Sequence, residues 1–559
     1  AYFTYVPIAA QDRNAVSTVI SRAQKKLPYW FAPPTNSPLD REGVLGHLDI
    51  MATALKNILK VSSATVASRV LGFARDAATM AFLGLSAVNA AYTFAFTLPN
   101  LFRRLLGEGA LSSAMIPIFS QTLKNSGKDA AFDFLNKLLS RAAILLALLS
   151  FLGTAIALAV SFAAPDTQRY YLGACYSAVL MPYMFFICLA AVFCSALNAL
   201  GSFGIPSIGP MLLNVAIIAG IFAGAKLFPS DDVALGYSMC AAWILGGILQ
   251  MAIPAARTFR YGWRFKFDLG KSREIGELYA LFVPALAGAA IIQINIFVSK
   301  MLALWLSDSA IPALYIASRL LEFPLGVFTI AIATVFFPRL SAHASSDPAA
   351  HKREYSKGLL FTLAIAIPAT FGLITFARDI LALLFQWGIF GNRDIDICLP
   401  VVIAAVSGLP FFSVATFATR GFHSSKDTRT PMKISAYSFA ANIALSLALI
   451  MPFGAAGLAA ANVGAAALQS WLLSAKLRGH FGTLGIGREV GKIFAASAIM
   501  TCAALAIKFA GAQFLDGKML AVFACAAAIP CAAAVYFATL FVLKSELAST
   551  LPSMIFRKK

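Results

Sequence analysis

Six charged residues in an otherwise apolar stretch, 61–121, are the first place to look for chemistry: Arg69, Arg75, Asp76, Arg103, Arg104 and Glu108. A charge at the centre of a membrane helix costs at least ~2.5 to 3.5 kcal/mol, so such residues normally face a bundle interior or a wet cavity. Ser62, Thr65, Arg69, Gly72 and Asp76 are spaced to stack along one side of an α-helix, with Arg75 at its border. In the next segment Asn100, Arg103 and Gly107 share a face, and Arg104 can reach Glu108 one turn on. Four guanidiniums against two carboxylates leave positive charge unmatched, and Arg is the side chain best shaped for forked contacts to phosphate oxygens. The pattern predicts an intramembrane anion site. A structural ion-pair network that only locks two helices together is the competing explanation, and two carboxylates can match at most two of these arginines.

The elements that must position these groups are membrane helices. Of 559 residues, 59% are hydrophobic and 13% charged, with mean hydropathy +0.78, which excludes an ordinary soluble domain. Apolar segments recur from about residue 58 onward, and fourteen spans are expected. They include single spans over 88–122 and 138–164 and a pair at 432–452 and 455–476, with 376–394 as an interfacial or re-entrant helix. The expected fold is thus all-α, a polytopic membrane protein with about 14 transmembrane helices. Lys and Arg gather in alternate loops, above all 257–273, while FPSDD, SDSAIP and PFGAAG between them are neutral or acidic. That alternation places both termini in the cytoplasm. It also accounts for the net charge of +20 without nucleic acid.

The eight cysteines form no CxxC pair and the five histidines no HExxH, so neither a metal, a cofactor nor a catalytic residue is expected. Residues 1–50 differ in composition and Met51 reads as a natural start, so an N-terminal extension, disordered or non-native, is expected there. Residues 315–341 echo the opening stretch: an aromatic, an Arg near a Pro, an apolar run, then Pro338 and Ser341 against Pro117 and Ser120. Transporters built from two related bundles leave such self-similarity. It places Arg319 opposite the first-half arginines, held by Glu322 at i, i+3. Lys300, alone in QINIFVSKMLALWL, could snorkel to an interface.

At SRVLGFARD (68–76), LPNLFRRLLGEGA (98–110), MIPIFSQ (115–121), YIASRLLEFPLGV (315–327), FQWGIF (385–390) and HSSKDTRTPMK (423–433) the chain resembles the MurJ (MviN) family of bacterial lipid II flippases. The resemblance implies a member of the multidrug/oligosaccharidyl-lipid/polysaccharide exporter superfamily. Its two pseudo-symmetric six-helix lobes, 51–256 and 275–477, would surround a central cationic cavity. A basic cytoplasmic loop, 257–274, would join them, and spans 13 and 14 with a cytoplasmic tail, 478–559, would offer a groove to lipid. It further implies a transporter of the bacterial inner membrane that works as a monomer for cell-wall synthesis, with lipid II, the undecaprenyl-pyrophosphate-linked disaccharide-pentapeptide, and membrane lipids as its partners. The substrate-binding residues it implies are Arg69, Arg75, Arg103 and Arg319, with Asp76, Arg104, Glu108 and Glu322 beside them. Two departures, Ala90 and Ser318 where relatives carry acids, make the cavity more positive. The alternatives are an exporter of another polyprenyl-linked glycan or of a small amphiphile, and a membrane enzyme acting on polyprenyl phosphates.

Overall fold

The computed structural model describes residues 63–107, 110–163, 167–344 and 347–547. Glu108, the 1–50 extension and the proposed start at Met51 lie outside the described residues. Every regular element among the described residues is helical. The first helix, α1 (63–83), carries the Arg69 stripe. It stops at Gly84, whose φ of +54° suits a glycine, and Ser86 caps α2 (Ala87–Ala95) by accepting from the Asn89 N–H.

The expected 88–122 span is not one helix. After α2 come α3 (Thr97–Phe102) and a π turn over Arg103–Gly107, before α4 (Ala110–Ala163). The second half repeats the device, with α9 (Ala310–Pro324), a π turn over Leu325–Thr329 and α10 (Ile330–His343). Each π turn precedes a helix with an internal proline, Pro117 or Pro338. Such wide turns release backbone groups and recur at functional sites.

The other long elements are α5 (Gln168–Ala199), α6 (Gly204–Leu227), α7 (Asp232–Arg260) and α8 (Arg273–Leu306). The chain continues through α11 (Pro348–Thr375), α12 (Ala377–Phe385), α13 (Asn392–Ser407) and α14 (Leu409–Ser424). It closes with α15 (Arg429–Phe481), α16 (Gly487–Ala512), α17 (Gly517–Phe523) and α18 (Ile529–Val542). Two expected polar loops are missing. In α4 the break is only Gly127, at φ +84°, and in α15 only Gly454, at φ +56°. A single glycine reverses the chain there because the left-handed region is open to it without a Cβ clash. Among the described residues ten helices are long and apolar enough to cross a membrane, and two of them, Ala87–Ala163 and Arg429–Gly479, run through these breaks.

Packing follows sequence neighbourhood. One large buried cluster draws its core from residues 83–278 alone, around Tyr176, Tyr183, Phe119 and Trp243. Two others, around Tyr355 with Phe417 and around Ile493 with Tyr536, draw only on 333–547. Ala90 and Phe94 meet Ala303, Ile311 and Leu458 in a cluster joining both sets.

The basic segment after α7 is a docked strap rather than a free loop. The Arg141 guanidinium donates to the carbonyls of Leu269 and Gly270, both at 2.7 Å, and Asn136 bridges the Trp263 indole at 2.9 Å and the Arg264 carbonyl at 3.0 Å. His351 is buried in the first turn of α11 against Ser424 and Phe481. Between α12 and α13 the Ile389 N–H donates to the Ala81 carbonyl at the end of α1, at 2.9 Å. The intervening Gly388 has φ +59°, and a Cβ there would run into that same carbonyl.

Two further features were not expected. Lys508 on α16 pairs with Asp379 on α12 at 2.5 Å, the carboxylate being buried, so one intramembrane ion pair ties the C-terminal helices to α12. In the loop before α15, the Thr430 N–H donates to Asp427 and holds its carboxyl below the usual carboxylate range.

Candidate functional site

A cavity of about 660 Å³ lies where α1, the first π turn, α6 and α9 converge. Its wall contains Arg69, Arg75, Arg103, Arg104 and Arg319, with Asp76 and Glu322 as the carboxylates. Seven of the eight site residues expected from sequence therefore share one chamber. The eighth, Glu108, lies outside the described residues.

Asp76, only 3% exposed, is the hub. Its Oδ1 accepts from Arg75 Nη2 at 2.6 Å and Nε at 3.0 Å, and Oδ2 stands 3.1 Å from Arg319 Nε. The Tyr315 hydroxyl completes the cluster: it donates to Asp76 Oδ1 at 2.8 Å and accepts from Arg75 Nη2 at 3.0 Å and Arg319 Nη2 at 2.8 Å. Arg75 Nη1 donates to Asn214 Oδ1 at 3.1 Å, and the Asn214 amide donates in turn to the Ser68 carbonyl. The expected Arg319–Glu322 pair is present at 3.0 Å. Helices from both halves of the chain are thus joined through one carboxylate and one phenol. Charge-assisted hydrogen bonds of this kind strengthen one another in a low-dielectric interior.

Of the four first-half arginines, Arg75 is one that a carboxylate matches, since the neighbouring side chain Asp76 takes its charge. Helical spacing puts Arg75 about 100° round from Asp76, but the long Arg75 side chain reaches back to the short Asp76 carboxylate, where Tyr315 and Arg319 of α9 also meet it. Arg103 Nε donates to Asn100 Oδ1 at 2.7 Å, as the shared face predicted. Arg69 and Arg104 differ from the rest: neither has a hydrogen-bond or ion-pair partner among the described residues. Arg69 lies against the second π turn, its guanidinium so near Gly326 that a Cβ there would stand 2.9 Å from Nη2.

Asn214 and Tyr315 were missed as site residues. The available signals were slight: a lone Asn within the apolar run of α6, and a Tyr four residues before Arg319. Lys300 was misplaced. It does not reach for an interface but turns inward, donating to Thr97 Oγ1 at 2.8 Å with its ammonium 5.2 Å from the Phe96 ring centre. A second cavity of about 390 Å³ opens around it and shares Asn100, Arg104, Arg319 and Glu322 with the first.

Residues 80–544 match the family model described as "Lipid II flippase MurJ". A relative from Rhizobium meliloti (strain 1021), described as "Probable lipid II flippase MurJ", is 31% identical over 87% of this chain and 93% of its own length. The "Lipid II flippase MurJ" of Burkholderia cenocepacia is 30% identical over 75% of this chain and 83% of its own. Among solved structures, "Lipid II flippase MurJ, inward closed conformation" superposes with a TM-score of 0.73 at 24% identity, covering 86% of this chain and 98% of that one. An inward-facing multidrug resistance MATE family transporter follows with a TM-score of 0.62 at 13% identity, covering 77% of this chain and 99% of that one. Similarity at this level over nearly the whole described chain, on a shared helical fold, means that this protein belongs to the MurJ family of lipid II flippases.

Proposed function

We propose that this protein is a lipid II flippase. It carries the undecaprenyl diphosphate-linked disaccharide-pentapeptide from the cytoplasmic to the periplasmic leaflet by alternating access, for cell-wall synthesis, and breaks no bond. The observation that carries this reading is the 660 Å³ chamber with five guanidiniums against two carboxylates inside a membrane bundle. A diphosphate is the group on such a substrate that this excess would hold, through Arg69, Arg75, Arg103, Arg104 and Arg319. Asp76, Glu322 and, by its place in the sequence, Glu108 set how many of those cations are free at a time. Volumes of this order suit a group of drug size, while the polyprenyl tail stays in lipid or along α16–α18.

The lobes are assigned as 51–256 and 275–477; the Tyr355–Phe417 cluster lies wholly within the second, and the large cluster lies mainly within the first, with Ile275 and Leu278 of α8 packed onto it. The protein works as a monomer in the inner membrane, with both termini cytoplasmic. Depletion in the native bacterium with a leaflet-specific assay tests the function: lipid II should accumulate on the cytoplasmic side. An unchanged leaflet distribution after full depletion would contradict the proposal.

Topology is tested separately. Ser272 caps one end of α8 and Ser307 the other, and 34 helical residues span about 50 Å, enough to put the two on opposite faces. Cysteines at Ser307 and at Ser230, in the turn before α7, should label with an impermeant thiol reagent in intact cells, whereas one at Ser272 should stay unlabelled. The exposed native Cys502 and Cys531 are first replaced by serine. Labelling at Ser272 would invert the assignment of the loops.

A further inference from the structure

The 390 Å³ cavity beside the arginine chamber is chemically different from it. Away from the wall it shares with the first chamber, its polar groups are Gln293, Asn295, Ser299 and Lys300 on α8, the hydroxyls of Thr97, Tyr315 and Ser318, and Asn462 on α15. There carboxamides and hydroxyls dominate, where guanidiniums dominate the first chamber. Among the described residues Lys300 has no carboxylate within ion-pair distance, and its polar partner is the neutral Thr97 hydroxyl. An ammonium accepts no hydrogen bond and has three protons to give, so one neutral acceptor leaves most of its capacity open. The buried Oδ1 of Asn295 has no donor opposite it. Groups of this kind normally find partners, because an unmet buried acceptor or cation is costly.

We propose that this second cavity receives the peptide of the substrate, with Lys300 binding a peptide carboxylate and Asn295 Oδ1 accepting a peptide N–H. A ligand that meets both unmet groups must carry an anion and a hydrogen-bond donor. A peptide brings both in its carboxylates and N–H groups; a fully ionised diphosphate alone brings no donor and a neutral sugar alone no anion. The shared wall formed by Asn100, Arg104, Arg319 and Glu322 lets one headgroup occupy both chambers, its diphosphate among the guanidiniums and its peptide among the amides. The inference rests on the flippase reading above and adds where the peptide is recognised. Lys300 is therefore a specificity residue, distinguishing the complete precursor from a polyprenyl diphosphate without a peptide.

The test is equilibrium binding in nanodiscs with three probes: lipid II, lipid II whose peptide carboxylates have been converted to amides, and bare undecaprenyl diphosphate. Wild-type protein should bind the amidated lipid about tenfold more weakly than lipid II. Lys300→Met, which keeps length without charge, should bind both lipids with the same weakened affinity and bare undecaprenyl diphosphate as wild type does, within about twofold. Lys300→Arg should restore part of the preference. The wild-type comparison depends on no variant folding, and thermal stability is followed for the variants. Equal affinity of wild type for lipid II and its amidated form would overturn the proposal, as would an equal loss of all three probes in a stable Lys300→Met. Failure of the flippase reading would show elsewhere, as bare undecaprenyl diphosphate binding indifferent to the chamber arginines.

Discussion

Asp76→Asn should bind bare polyprenyl diphosphate more tightly than wild type and yet transport lipid II at least about a hundredfold more slowly. The carboxylate is buried between Arg75 and Arg319 and accepts from Tyr315, so it occupies the guanidinium protons that a diphosphate would otherwise take. Removing the charge while keeping the shape leaves Arg75 without its carboxylate and Arg319 with Glu322 alone, and losing one partner of a buried pair costs on the order of 3 kcal/mol. An incoming anion relieves that cost, so affinity rises, by about tenfold after allowance for water in the chamber. Release would then lose a competitor, if the returning carboxylate displaces the phosphate from Arg75 and Arg319. Thermal stability without ligand should fall, and recover when the diphosphate is added, because a ligand bound only to the folded state stabilises it. Binding and stability in nanodiscs, beside flipping in proteoliposomes, check all three. Weaker binding in a well-folded Asp76→Asn would mean that the carboxylate positions the arginines for the ligand instead of competing with it.

Arg104→Ala should behave in the opposite way, losing ligand without losing stability. Its guanidinium lines both cavities and has no partner among the described residues, so its removal breaks no hydrogen bond among them. A hydrogen bond to a charged group contributes about 1.5–3 kcal/mol, which corresponds to a Kd for bare polyprenyl diphosphate raised by roughly ten- to a hundredfold. Arg69→Ala should match it. Lysine at either position keeps the charge and loses the fork, so it should recover only part of the affinity. Arg75→Ala supplies the contrast, because it strips Asp76 and Tyr315 of a partner and should reduce melting temperature as well as binding. A melting temperature lowered as much in Arg104→Ala as in Arg75→Ala would return Arg104 to a structural role.

The helical class and the chamber arginines were legible because both are written in local spacing. A charge in an apolar run is visible in one dimension, and the 3–4 periodicity says which neighbours share its face. What could not be read was the choice of partner. Arg75 had Asp76 beside it in the sequence, but their meeting depends on Tyr315 and Arg319 arriving from a helix some 240 residues away. The same holds for Lys300: its pattern is that of a snorkelling lysine, and only the placement of Thr97 and Phe96 turns it inward. The breaks at Gly127 and Gly454 were marked, by the polar run KNSGKD and by PFGAAG, but nothing in either string said that a single glycine would do the work of each loop. The π turn at Arg103–Gly107 was invisible too, since nothing in its residue types separates it from a continuing α-helix.

The bond from the Ile389 amide to the Ala81 carbonyl joins main chain to main chain, across a glycine with no room for a Cβ. Such a fastening is blind to the side chains of the two residues that make it. Drift at positions 81 and 389 can therefore proceed without loosening it, while the codon for Gly388 has almost no synonyms in structural terms. For a lineage under pressure from a compound that wedges into this end of α1, the routes to escape narrow to that codon, and taking one breaks the fastening itself. A seam built from backbone is in this sense a poor place for resistance to arise.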